Sequence, residues 1–242
     1  RRWVTWVTTM LLLLGVLLSL PLLTAAPIAA QSGDWPMFRR TPERSGYNSD
    51  EANITLPLTQ RLTAFIPASS ESLASPVVAD GVIYAGGGDG RLYAFSVATG
   101  TIQWSTQLGG SSIQSTPAVA NGVVYLGNSV GTFYAVDAIS GTLRWSYSTG
   151  SPINTAPVVA GNRVYFGTSN GRLYALDATN GSLHWLFVGN GAIQSSPSLT
   201  GDTVYFSTVN GTVYALNVND GSQRWAYITG RTIQSTPTIQ GS

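Results

Sequence analysis

The sequence predicts an all-β protein, a β-propeller of four-stranded antiparallel blades. Three observations predict it. Pro76, Pro117, Pro157, Pro197 and Pro237 recur at spacings of 41, 40, 40 and 40 residues, and Tyr93, Tyr134, Tyr174, Tyr214 and Trp104, Trp145, Trp185, Trp225 keep the same lattice. Within each repeat, short β-rich runs are separated by turn dipeptides such as Asn121-Gly122 and Ser140-Gly141, which supply the positive φ values that tight hairpins need. Apolar residues at three-and-four spacing are absent, and Gly interrupts every run, so a helical reading fails. A four-stranded sheet buries little by itself, so the repeats must stack face to face.

The elements follow in order along the chain. Residues 1–30 read as a signal peptide: Arg1 and Arg2, the apolar stretch "MLLLLGVLLSLPLLTAA", then "PIAA" with cleavage after Ala30. The alternative is an uncleaved anchor, because Trp6 to Leu23 approaches the ~20 residues of a spanning helix; Pro21 and the small-residue tail favour cleavage. Residues 31–57 are a lead-in segment, and residues 58–242 are the propeller. Its blades fall near 76–108, 117–149, 157–189 and 197–229, and a further one opens at Pro237. Leu58–Ala68 sits where a fourth strand would precede Pro76, so it is expected to complete the last blade of the ring. The chain reads as an N-terminal fragment.

In a unit such as "TPAVANGVVYLGNSVGTFYAVDAISGTLRWSYS", the runs "PAVA", "VVYLG", "TFYAVD" and "LRWSYS" are the four strands. Asp137 and Asp177 fall where the third strand ends, a position where a carboxylate accepts hydrogen bonds from turn N–H groups. The fourth-strand Trp offers a broad face and one N–H donor, which suits a contact between neighbouring blades. The pattern A-x-D-x-x-x-G-x-x-x-W is intact at Ala135, Asp137, Gly141, Trp145 and at Ala175, Asp177, Gly181, Trp185. It resembles the tryptophan-docking motif of the pyrroloquinoline quinone (PQQ) repeat propellers, as "DWPMFRRTPERSGYN" resembles the segment before their first blade. The first and last copies depart at the Asp position, with Ser96 and Asn217, and both keep a turn-capping side chain. The resemblance implies that Trp104, Trp145, Trp185 and Trp225 tie blade to blade. It also implies a ring of seven or eight blades, of which four are complete here.

Composition narrows the chemistry. With 43% hydrophobic and 10% charged residues, the chain builds a core. All 12 basic residues are Arg; with Arg1 and Arg2 set aside, 10 basic residues stand against 11 acidic ones. That leaves no electrostatic footprint for nucleic acid. Zero Cys and zero Lys exclude disulfides, thiol and Schiff-base nucleophiles, Cys-bound metals and a P-loop.

The PQQ-repeat scaffold hosts enzymes and binding modules alike. An alcohol or sugar dehydrogenase needs quinone, calcium and a catalytic Asp. Yet Asp80, Asp89, Asp137, Asp177, Asp202 and Asp220 hold turn or repeat positions that sister blades fill with Asn, Ser or Gly. Only Glu71 stands apart, and no catalytic or metal-ligating residue is assigned. His184, the single His, occupies the slot of Gln103, Arg144 and Arg224 and reads as a surface residue. Gln114, Asn154, Gln194 and Gln234 recur just before each inner strand. They read as amides bridging adjacent blades, or as a polar rim at the channel mouth.

The expectation is therefore an exported scaffold, periplasmic, extracellular or at the cell surface, without catalysis and with no evident cofactor. It binds a protein or small ligand at its rim, and meets a membrane only through an uncleaved N-terminal segment. The alternative is a PQQ- and calcium-dependent dehydrogenase with its active-site residues in a further C-terminal half. A third candidate, the propeller lipoprotein of the outer-membrane β-barrel assembly machinery, shares the repeat type but needs an acylated Cys, which this chain lacks.

Overall fold

The computed structural model describes Met37 and residues 74–239. The export signal, the lead-in segment apart from Met37, Leu58–Ala68 and Glu71 lie outside the described residues. Blade 1 comprises β1 (Val77–Ala79), β2 (Val82–Gly86), β3 (Arg91–Ser96) and β4 (Ile102–Gln107). Blade 2 comprises β5 (Ala118–Ala120), β6 (Val123–Gly127), β7 (Thr132–Asp137) and β8 (Leu143–Ser148). Blade 3 comprises β9 (Val158–Ala160), β10 (Arg163–Gly167), β11 (Arg172–Asp177) and β12 (Leu183–Val188). Blade 4 comprises β13 (Ser198–Thr200), β14 (Thr203–Ser207), β15 (Thr212–Asn217) and β16 (Gln223–Ile228). Each is a four-stranded antiparallel meander in sequence order, so the fold is four blades of a partial β-propeller.

Turn chemistry sets the first hairpin of each blade. Asp80-Gly81 and Asn121-Gly122 place both residues at positive φ, 51° and 73° in one and 52° and 70° in the other, as a type I′ turn requires. Blades 3 and 4 reverse the order. Gly161 and Gly201 come first at φ 57° and 54°, and the following Asn162 and Asp202 stay out of the left-handed region.

The two middle strands lie between neighbouring blades and carry the core. Phe133 and Phe166 stack across the seam of blades 2 and 3, with centroids 3.9 Å apart at 4°, and both are fully buried. Outer strands β8 and β12 alternate between docked and solvated positions over their second halves, whereas β16 is exposed throughout. In every blade the register between the third and fourth strands slips: Ala135 pairs with Trp145, but Val136 pairs with Leu143. Arg144 is left over as a bulge residue, as are Gln103, His184 and Arg224 in the sister blades. A bulge of this kind twists the strand and re-aims its side chains.

The two ends of the arc differ. No described blade follows blade 4, and Trp225 and Tyr227 on β16 are 46% and 66% exposed, against 8% for Trp185. In blade 1, Ala85, Tyr93 and Phe95 are the counterparts of Leu126, Tyr134 and Val136, which pack blade 2 onto blade 1, and all three are buried in a cluster of their own.

Candidate functional site

The seams are built from two donors and one acceptor. The indole N–H groups of Trp104, Trp145 and Trp185 donate to the backbone carbonyls of Ala138, Ala178 and Val218 in the next blade, at 3.2, 3.1 and 2.9 Å. The same carbonyls accept from the hydroxyls of Tyr84, Tyr125 and Tyr165, at 3.1, 3.0 and 3.4 Å. One carbonyl carries two lone pairs, which match the paired donors at Ala138 and Ala178, while Val218 also accepts from Arg163 Nη1 at 2.8 Å. Burial pushes Tyr84 up to about 12, with Asp80 and Asp137 adding to it. Burial also raises Tyr125 and Tyr165, so these phenols stay protonated donors at neutral pH. The sequence reading missed them, although Tyr84, Tyr125, Tyr165 and Tyr205 keep the same 40- to 41-residue lattice.

The remaining motif residues hold the acceptor in place. Ala135 and Ala175, fully buried, pair directly with Trp145 and Trp185. Gly141, Gly181 and Gly221 sit at φ 71° to 74°, and a Cβ on Gly141 or Gly221 would fall 2.7 Å from the indole of Trp104 or Trp185. Asp137 caps its turn by accepting from the N–H groups of Ile139 and Ser140 at 3.1 and 2.8 Å, while Arg144 donates to its other oxygen at 2.6 Å. Arg144 and the Ser140 bonds hold its carboxyl well below the usual range. Asp177 accepts from Thr179 and Asn180 in the same way, at 2.8 and 3.1 Å. Asn217 and Ser96 cap the turns of blades 4 and 1.

These carboxylates do not suit a calcium-held quinone, because a hard cation needs several converging oxygens. Among the described residues no three His, Cys, Asp or Glu side chains cluster to hold a metal. Asp89 accepts from Arg91 N–H and Tyr93 hydroxyl, Asp202 pairs with Arg224 at 2.5 Å, and Asp220 caps its turn through Ser222. His184 is exposed on its bulge, with Nε2 3.1 Å from the Asn219 carbonyl oxygen.

The polar stretch before each inner strand divides its labour. Gln114 is half-buried, and Asn154, Gln194 and Gln234 are exposed. The link between blades is made by their neighbours in sequence. Ser115 Oγ donates to the Thr155 carbonyl at 2.9 Å, Ser196 Oγ accepts from Ala156 N–H at 2.9 Å, and Thr236 Oγ1 accepts from Ser196 N–H at 3.2 Å. Bridging thus falls to hydroxyls, which are short enough to sit inside the seam, and the amides face outward.

Comparison with protein families matches residues 59–227 to a PQQ-repeat family described as outer membrane protein assembly factor BamB. That machinery's propeller is the candidate that the sequence reading set aside for want of a Cys. No curated protein matches. Among solved structures, BamB from Moraxella catarrhalis is 20% identical with a TM-score of 0.59, covering 69% of this chain and 52% of its own. Quinohemoprotein alcohol dehydrogenase from Comamonas testosteroni is 19% identical with a TM-score of 0.69, covering 82% and 41%. A europium-containing methanol dehydrogenase is 19% identical with a TM-score of 0.65, covering 84% and 50%. The chain therefore spans about half the length of these proteins or less, and at such identity the likeness is one of fold. It corrects the expectation that a non-catalytic scaffold is the better reading than an enzyme. That expectation rested on four blades without a ligand set, and the dehydrogenases share this architecture over most of the chain.

Proposed function

Since the chain belongs to the PQQ-repeat family described as outer membrane protein assembly factor BamB, we propose that its blades are the framework of an exported quinone-dependent dehydrogenase acting on alcohols or sugars. The observation that carries this reading is the extent of the likeness: a TM-score of 0.69 over 82% of the chain for the dehydrogenase, against 0.59 over 69% for BamB. Residues to hold PQQ and calcium would be sought outside residues 74–239, whose carboxylates are engaged in turns and ion pairs. When bound, the quinone would supply the electron sink for substrate oxidation. The described blades would supply a stacked, hydrogen-bonded frame for such a site. Export is supported by Arg1, Arg2 and the apolar run that follows.

A second reading, a scaffold that binds a protein partner at its rim, is favoured by the family description itself. The experiment that separates them uses the protein incubated with PQQ and calcium, desalted, and given alcohols or sugars with an artificial electron acceptor. Substrate-dependent dye reduction is the expected result. No reduction with any substrate, together with loss of all quinone on desalting, would favour the scaffold.

A further inference from the structure

Gln114, Asn154, Gln194 and Gln234 stand one per blade at the entry to the inner strand, and no hydrogen bond among the described residues holds their side chains. Their backbone, by contrast, is pinned from both sides in the first three copies. The preceding Ile113, Ile153 and Ile193 are buried to 0 or 1% exposure, as are the following Ser115, Thr155 and Ser195. A Cβ on Gly86, Gly127 or Gly167 would overlap these Ile side chains, so each plugs a strand that leaves room for it. Thr155 Oγ1 donates to the Gly167 carbonyl and accepts from the Gly167 N–H, at 2.9 and 3.0 Å, and Ser195 does the same with Ser207. Bonds from Ser75 to Thr116, Ser115 to Thr155 and Ala156 to Ser196 join these segments blade to blade. The amides therefore project from one hydrogen-bonded belt.

The chemistry of the belt selects its ligand. Segments 110–117, 150–157, 190–197 and 230–237 contain a single charged residue, Arg231, so they offer little to an ion. None of the large exposed hydrophobic side chains lies in them, so they lack the apolar anchors on which protein partners depend. Each amide instead presents two donors and an acceptor. A neutral ligand dense in hydroxyls, each both donor and acceptor, matches that array. We propose that this belt is a binding site for neutral polyhydroxylated ligands, the sugar class, independent of any quinone.

The test is a titration of the 242-residue chain with maltotriose, read from the side-chain NH2 resonances by NMR. Saturable shifts of the Gln114, Asn154 and Gln194 resonances are expected, with binding at least tenfold weaker in the triple variant Gln114→Leu, Asn154→Leu, Gln194→Leu. Unmoved amide resonances in the parent, or a folded triple variant that binds within twofold of it, would overturn the proposal. If the triple variant fails to fold, the parent spectra and Gln194→Leu alone decide by the same criteria. No quinone or dye enters the measurement, so its failure and failure of the dehydrogenase reading are distinguishable.

Discussion

Replacing Trp185 by Ala removes a side chain that is 8% exposed, sits 5.7 Å from the Tyr165 ring and donates to the Val218 carbonyl at 2.9 Å. Truncating a buried Trp costs about 3–5 kcal/mol. The lost hydrogen bond adds little, because Val218 still accepts from Arg163 Nη1 at 2.8 Å and from the Tyr165 hydroxyl, so no buried acceptor is orphaned. The same change at Trp225, 46% exposed and without a described blade to dock on, should cost the 242-residue chain about 1 kcal/mol or less. Trp185→Phe, which keeps most of the packing and deletes the donor, should fall between them. Urea unfolding of all three variants measures the differences. Equal losses at Trp185 and Trp225, or no loss at Trp185, would refute the claim that the indole is held by the next blade.

Gly181→Ala forces a side chain onto φ 74° and against the Trp145 indole at 2.5 Å; the melting midpoint should drop by more than the ~1 kcal/mol of an ordinary Gly exchange. Asp137 has its carboxyl depressed by Arg144 and Ser140, so its contribution is present above the unfolded value of about 4 and is lost as pH falls through the folded one. Asp137→Asn should flatten that acid limb in a pH series of unfolding midpoints, with no change near pH 7 beyond the lost pair with Arg144. His184→Ala, at an exposed bulge, should shift stability by no more than ~0.5 kcal/mol and leave dye reduction unchanged.

The four-stranded antiparallel blades were legible because a 40-residue lattice, β-rich runs and Asn-Gly turns all point to one architecture. The Tyr84, Tyr125 and Tyr165 donors were not, since Tyr is also a common strand former and its hydroxyl partner lies more than fifty residues away. The bulge at Gln103, Arg144, His184 and Arg224 is a register slip that composition does not record. The division between amide and hydroxyl was within reach: in "IQS" and "INT" the amide stands between an apolar residue and a short hydroxyl residue, the two types that pack most readily inside a seam. Function was least legible, because repeat residues serve the seams and the same blades occur in assembly factors and dehydrogenases.

Quinone stoichiometry of the protein tests the central claim most directly. The protein is loaded with PQQ and calcium, desalted, and its absorbance set against protein concentration. It should retain one quinone per chain and reduce an artificial acceptor when given an alcohol or sugar. No retained quinone together with no substrate-dependent reduction would contradict the account.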